Sequence, residues 1–236
     1  MTKAIIILLF GIVAKVQAQS FIYQHDYKAI AYKTKDPDDS LYYPRLFARY
    51  ISNDSTLSPA EVLALLIGFT DRLEYKPYDD LVLEKQINQL NNTGGYQQAI
   101  KLANLFLSTH PFDQQAIVAK SYAYYRLGKL DSSEYYVLRF DAVMKAMAYS
   151  GSGKAPDSAI FALGPIDGEN FIRRYLKAST GYTDNRLDSY GNHLSVIEAK
   201  LNGKASIELY FVIQHALNAM LEATGNKAEG RALRKK

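Results

Sequence analysis

No cysteine occurs in the 236 residues, which removes disulfides, thiolate nucleophiles and cysteine-held metals in one step. Tryptophan is absent as well. Histidine is limited to His25, His110, His193 and His215, none with a second histidine three or four residues away, so no helix presents a ready metal pair. Each reads as a surface or capping residue. The G-x-S-x-G pattern of a nucleophile elbow is missing, because Gly151-Ser152-Gly153 is one residue too tight on each side. After the first twenty residues no apolar run approaches membrane length.

Those first residues, MTKAIIILLFGIVAKVQAQS, carry Lys3, an apolar run from Ala4 to Ala14, and the small residues Val16 and Ala18 before Gln19. The pattern predicts a secretory signal peptide over 1–18. Its apolar run reaches only about 16 Å as a helix, against about 30 Å of hydrocarbon, so it does not read as a span. Export to the periplasm or beyond follows, and a disulfide-free composition suits a periplasm. No cysteine follows the leader to take a lipid, so no membrane attachment is expected after its removal. The formal net charge of +4 falls to +2 once Lys3 and Lys15 leave with the leader. That is too weak to indicate nucleic acid.

What the chain does contain is 48% hydrophobic residues, enough for a core, and an internal period. Gly94 and Gly128, Ala99 and Ser133, Ala103 and Val137, and Phe106 and Phe140 each stand thirty-four residues apart, the spacing of tetratricopeptide repeats. Gly95 and Tyr96 open a helix whose Ala99, Leu102, Ala103, Phe106 and Leu107 make one apolar stripe, and Pro111 follows its end. Residues 113–127 place Ala116, Ala119, Ala123 and Leu127 on one side, small enough for close packing in a helical hairpin. The next helix lacks a stop and carries its stripe through Val143, Met144 and Met147 towards Tyr149.

Upstream, residues 19–40 read as a loosely ordered arm ending in a turn at Lys35–Ser40. Ser40 is placed as the cap of a helix to about Ser52, with Pro44 in its first turn. Ser58, Pro59 and Glu61 supply an N-cap, first-turn proline and capping-box acid for a helix to about Arg72. Asp79 or Asp80 caps a helix carrying Leu81, Ile87 and Leu90. Downstream, Ser150–Lys154 is a break. SAIFAL before Gly164 reads as a short buried strand, and GENFIRRYLKAS as a helix with Phe171, Ile172, Tyr175 and Leu176 inward. HLSVIEAKL and KASIELYFVI flank Asn202-Gly203, the pair favoured in a two-residue hairpin turn. A continuous helix over 206–223 is the rival reading of the second segment, and HALNAMLEAT is helical in either case. The expected fold is thus mainly α: tetratricopeptide-like helical hairpins over 41–150, then a small α+β portion with a β-hairpin over 151–225 sharing the same core, and a basic tail over 226–236.

Tyr43-Pro44-Arg45-Leu46 with Arg49, Asn53-Asp54-Ser55-Thr56-Leu57-Ser58, Gly68-Phe69 with Tyr75-Lys76-Pro77-Tyr78, Ser150-Gly151-Ser152-Gly153, and Leu209-Tyr210-Phe211 together resemble the domain-of-unknown-function 4919 family. These are small exported proteins found chiefly in Bacteroidetes. Gly168-Glu169-Asn170 departs from that family's acid-and-tyrosine segment. The resemblance implies an exported helical-repeat protein, and none of its motifs is a catalytic signature.

Candidate chemistry is sparse. SGSGK fails the phosphate-loop pattern at Ala148 and Ala155 and reads as a turn, or as a backbone nest for an anion. Asp167 with Glu169, or Asp184 with Asp188, are the pairs a glycosidase reading requires. The aromatic load is more informative: 19 Tyr and 10 Phe, clustered at Tyr42-Tyr43, Tyr122 to Tyr125 and Tyr135-Tyr136. Tyrosine serves both core and contact surface. Tyr122, Tyr125, Arg126 and Arg139 are placed as a contact face for an exported protein or peptide, with packing of those tyrosines helix against helix as the plain alternative. The functional expectation is a non-catalytic interaction module of the bacterial envelope without a cofactor. A glycan-related enzyme or accessory protein and a purely structural domain are the alternatives.

Overall fold

The computed structural model describes residues 21–78, 81–201, 203 and 205–233. The leader, the Asp79 and Asp80 caps, Asn202 and residues 234–236 lie outside them. Among the described residues the protein is mostly helical with a small four-stranded mixed sheet.

The expected arm is instead helix α1, Tyr23–Lys33. Tyr23, Tyr27, Ile30 and Ala31 lie on the core, a helical stripe concealed in the sequence because tyrosine reads as half polar. The Asp26 carboxylate holds the start by accepting the Ile22 N–H at 2.7 Å. The turn after it is as expected, with Asp36 and Asp39 accepting backbone N–H groups two residues on. Ser40 is not a cap: α2 is Tyr43–Ile51, with Pro44 in its first turn and Leu46 and Tyr50 buried.

Helix α3, Pro59–Phe69, carries the full capping box of Ser58 and Glu61. Every residue from Val62 to Phe69 is buried. A helix apolar all round must be enclosed, and α1, α2 and the later helix α7, Leu130–Ser150, pack around it. Three helices lie between: α4 (Leu81–Asn92), α5 (Tyr96–Thr109) and α6 (Gln114–Arg126). Their alanines make a second, close-packed core: Ala99 and Ala103 meet Ala116, Ala119 and Ala123, with Ile87, Phe106 and Ile117 filling it. Gly94 and Gly128 adopt φ of +81° and +71°, a left-handed bend that glycine enters without steric cost. Each sits between two helices. Of the other paired positions, Ala103 is fully buried whereas Val137 is half exposed.

The sheet runs β1-β4-β3-β2. Strand β1 is Ile160–Phe161, parallel to β4, Ile207–Val212; β3, His193–Lys200, is antiparallel to β4 and to β2, Ser179–Leu187. The hairpin is therefore real, and the continuous-helix rival over 206–223 is excluded. The register sets Ala199 opposite Ile207, and the expected Asn202-Gly203 turn between the strands lies partly outside the described residues. Strand β2 has no counterpart in the sequence reading, because its polar residues lack alternation. Helix α9, Gln214–Leu233, follows, so residues 226–233 of the expected basic tail continue a helix.

Between β1 and β2, α8 (Asp167–Asn170) passes into a π-turn over Phe171–Tyr175, where the Leu176 N–H reaches back five residues to Phe171. Phe171 and Ile172 are buried, but this wider turn rotates Tyr175 off the stripe, to 38% exposure instead of inward. Val143, Met144 and Met147 of α7 share one core with Phe161, Phe171, Ile197 and Phe211, so helices and sheet form one unit.

Candidate functional site

Helix α6 presents Tyr122, Tyr125 and Arg126 at helical spacing i, i+3 and i+4 on one exposed face. The Arg126 Nη1 donates to the Tyr122 hydroxyl at 2.6 Å, and its guanidinium lies 4.8 Å from the Tyr96 ring centre and 5.6 Å from that of Tyr122. Tyr96 and Tyr122 meet edge to face. The result is a charged, solvent-facing platform whose arginine, among the described residues, is held by rings instead of by an acid.

Arg139 does not belong to it. It is 5% exposed, donates to the Pro111 carbonyl at 3.0 Å and lies among the rings of Tyr50, Tyr135 and Tyr136. The expected four-residue face is thus three residues plus Tyr96. Arg139 is a core residue because α7 turns its position 139 towards α2 and α6, which helical spacing within one element cannot reveal. Lys120 is buried near it, donating to the Tyr136 hydroxyl. Burial, then repulsion from Arg139, pushes its ammonium down to about 8.

A second concave feature opens where the Tyr75–Pro77 turn meets the loop Leu163–Asp167. Phe69, Glu84, His110, Phe112 and Asp113 complete its wall, and it encloses about 60 Å³. The Tyr75 hydroxyl donates to the Leu163 carbonyl and pins the loop. The Asp167 carboxylate accepts the Gly164 N–H at 2.8 Å. Burial, with Asp113 as a lesser contributor, pushes Asp167 up to about 7. Composition gave no sign of this cleft, since its acids come from α4, the N-cap of α6 and α8. The space holds a few waters and falls far below the 300–1,000 Å³ of ordinary ligand pockets. Among the described residues no group of three or more acids and histidines is arranged to hold a metal.

The other candidates resolve plainly. Glu169 pairs with Arg173 and not with Asp167. Asp184 pairs with Arg186, while Asp188 organises its own turn by accepting the N–H groups of Tyr190 and Asn192. Asp167 lines the cleft without Glu169, and Asp188 lines a small recess without Asp184, so neither pair converges on one space. In SGSGK the Gly153 N–H is spent on the Ser158 carbonyl and that of Lys154 on Ser152, so the segment is a turn. His25 and His193 are exposed, as expected. His215 is not: it is 4% exposed, and burial pushes its imidazole down to about 3.

The residues that carried the family resemblance turn out to be joints. Arg49 donates to Asp54 at 2.7 Å and to Glu61 and Thr56, tying the loop after α2 to the start of α3. Arg45 donates to the carbonyls of Pro37 and Asp39 at 3.0 Å each. A Cβ on Gly68 would lie 2.9 Å from the Thr34 side chain. Ser150 accepts the Phe161 N–H at 2.8 Å, joining α7 to the sheet. A groove of about 460 Å³, lined by Asn53, Ser55, Leu57, Leu138 and Lys145, runs beside the Arg49 joint.

Fold and surfaces together define a mainly helical protein with a small mixed sheet, an exposed tyrosine–arginine platform and one narrow acidic cleft. The chain belongs to the family described as domain of unknown function (DUF4919), whose model matches residues 28–222. No curated protein and no solved structure matches it.

Proposed function

We propose that this chain is an exported, non-catalytic protein- or peptide-binding module of the bacterial cell envelope, and that α5 to α7 act as tetratricopeptide-type hairpins offering the contact side. The single observation that carries this reading is Arg126. A guanidinium set over Tyr96 and bonded to Tyr122, exposed and unneutralised by any acid among the described residues, is ready to take a partner's carboxylate or backbone carbonyl while the rings supply apolar contact. The leader-like first eighteen residues supply the address.

A crosslinking pull-down from envelope extract tests it, comparing wild type with the Tyr122→Ala and Arg126→Ala pair. One specific partner, lost in the double variant, supports the module. Capture unaffected by the change removes the platform from the reading.

A glycan-related enzyme or accessory protein is the second reading, and Asp167 is the observation that favours it. An acid raised to about 7 in a cleft is in the protonation state a general acid needs. The small volume of that cleft weighs against it, because a sugar ring does not fit without rearrangement. A purely structural domain is the outcome if neither surface binds anything.

A further inference from the structure

Strand β2 is an edge of the sheet, with no further strand beside it among the described residues. After the irregularity between Thr180 and Thr183 its last five residues, Thr183 to Leu187, pair in unbroken register with Ile197 to His193. Four of those five are exposed, whereas β3 beside them is buried at most positions. β2 therefore overhangs the core with its outer backbone groups towards water, the arrangement that invites a further strand. The opposite edge, β1, is only two residues long.

The outer edge is legible from one hydrogen bond. The Asn185 N–H donates to the Asp184 carboxylate at 2.8 Å. An N–H spent on its own strand's side chain is not in the ladder to β3. Donors alternate between the two sides of an antiparallel strand, so Thr183, Asn185 and Leu187 present their backbone groups outward. Arg186, between them, is anchored on the sheet by Glu208, with Nη1 and Nη2 donating at 2.7 and 2.6 Å.

We propose that β2 is a self-association edge, and that two copies of this chain pair antiparallel about a two-fold axis through Asn185. The charge order selects a second copy. Asp184, Asn185 and Arg186 form a sequence that is complementary to itself when reversed, so each Asp184 falls opposite the partner's Arg186, and each Thr183 opposite the partner's Leu187. Such a contact is isologous and closes on itself. On pairing, the partner's Asn185 carbonyl takes the N–H now held by Asp184, and that carboxylate exchanges its own Arg186 Nε, 3.1 Å away, for the partner's Arg186. Five paired residues bury much less than the roughly 1,000 Å² of a durable interface. The association is accordingly weak and concentration-dependent.

The absence of cysteine makes a clean test. Residues opposed in a hydrogen-bonded antiparallel pair have Cα atoms about 5.5 Å apart, within disulfide reach. Asn185→Cys should form a disulfide dimer under mild oxidation at least tenfold faster than Leu73→Cys, a control position that is 92% exposed and off the sheet. Asn185→Pro should keep the circular dichroism spectrum and melting temperature, since the lost N–H is outside the ladder, and should abolish the self-association of wild type in sedimentation at high concentration. Equal crosslinking of the two cysteine variants overturns the proposal, as does an Asn185→Pro protein that associates like wild type. If Asn185→Cys instead crosslinks only to a different protein from extract, the edge takes a foreign strand and the self-pairing falls.

Discussion

His215 lies face to face on Phe161, ring centroids 4.5 Å apart and planes 8° from parallel. Tyr23 and Tyr27 of α1 and Tyr75 stack around the same imidazole at 5.8, 5.6 and 6.2 Å. No hydrogen bond of ordinary geometry reaches either ring nitrogen, although the nearby Ala162 backbone favours the charged form slightly. The ring is thus a neutral aromatic plank joining α9, α1 and β1.

This burial gives a pH dependence with a definite sign. An unfolded histidine titrates near 6.5 and the buried one near 3. Between those values the unfolded chain binds the extra proton, so stability rises with pH. Asp167 acts oppositely: its carboxyl moves from 3.8 up to about 7, the native state holds the extra proton, and stability falls as pH rises through that window. Each effect is on the order of 4 kcal/mol at full extent, so they offset in wild type. His215→Phe should give urea stability that declines from pH 4 to 7, and Asp167→Asn stability that climbs over the same range. Parallel curves for both variants would refute the assignment.

Surface and core arginines should part company. Tyr122→Ala with Arg126→Ala should change stability by no more than about 0.5 kcal/mol per site. Arg139→Met strands the buried Pro111 carbonyl and should cost about 2–3 kcal/mol. It should also raise the Lys120 pKa by removing a buried like charge, which carbon NMR of the lysine side chain reads directly.

Gly168 lets α8 lie close against the sheet. A Cβ there would stand 2.8 Å from the Ile197 side chain and 2.9 Å from that of Phe211. Gly168→Ala should therefore destabilise by about 1–3 kcal/mol through overpacking, seen as a lower denaturant midpoint with an unchanged slope.

Ser58 closes the capping box on the buried helix α3. Ser58→Ala should cost about 1 kcal/mol, a fall of roughly 2–4 °C in Tm for a chain this long. Ser58→Asp should recover most of it.

Features made within a few residues were legible in the sequence. The Ser58-Pro59-Glu61 start, the bends at Gly94 and Gly128, the break after Ser150 and the two long hairpin strands all rest on local hydrogen bonds, allowed φ values or alternation. Helix α1 is not legible because half of its core-facing residues are tyrosines, and β2 because an overhanging edge strand has little to bury. The contact face was half legible: Tyr122, Tyr125 and Arg126 share one helix face that spacing defines, while Tyr96 joins them from α5 and Arg139 leaves them for the core.

The sequence by itself determined where α3 and α5 begin, that the chain turns over Lys35–Ser40 and that a hairpin closes near Gly203, because those choices are settled by neighbours along the chain. The tertiary structure alone decided that Arg139 and His215 are buried, that β2 is left as an open edge, and that Asp167 meets Asp113 in a cleft. These depend on groups far apart in the chain, such as Tyr75 and the Leu163 carbonyl, which lie 88 residues apart. Burial and electrostatics are properties of that meeting, and no local pattern encodes them.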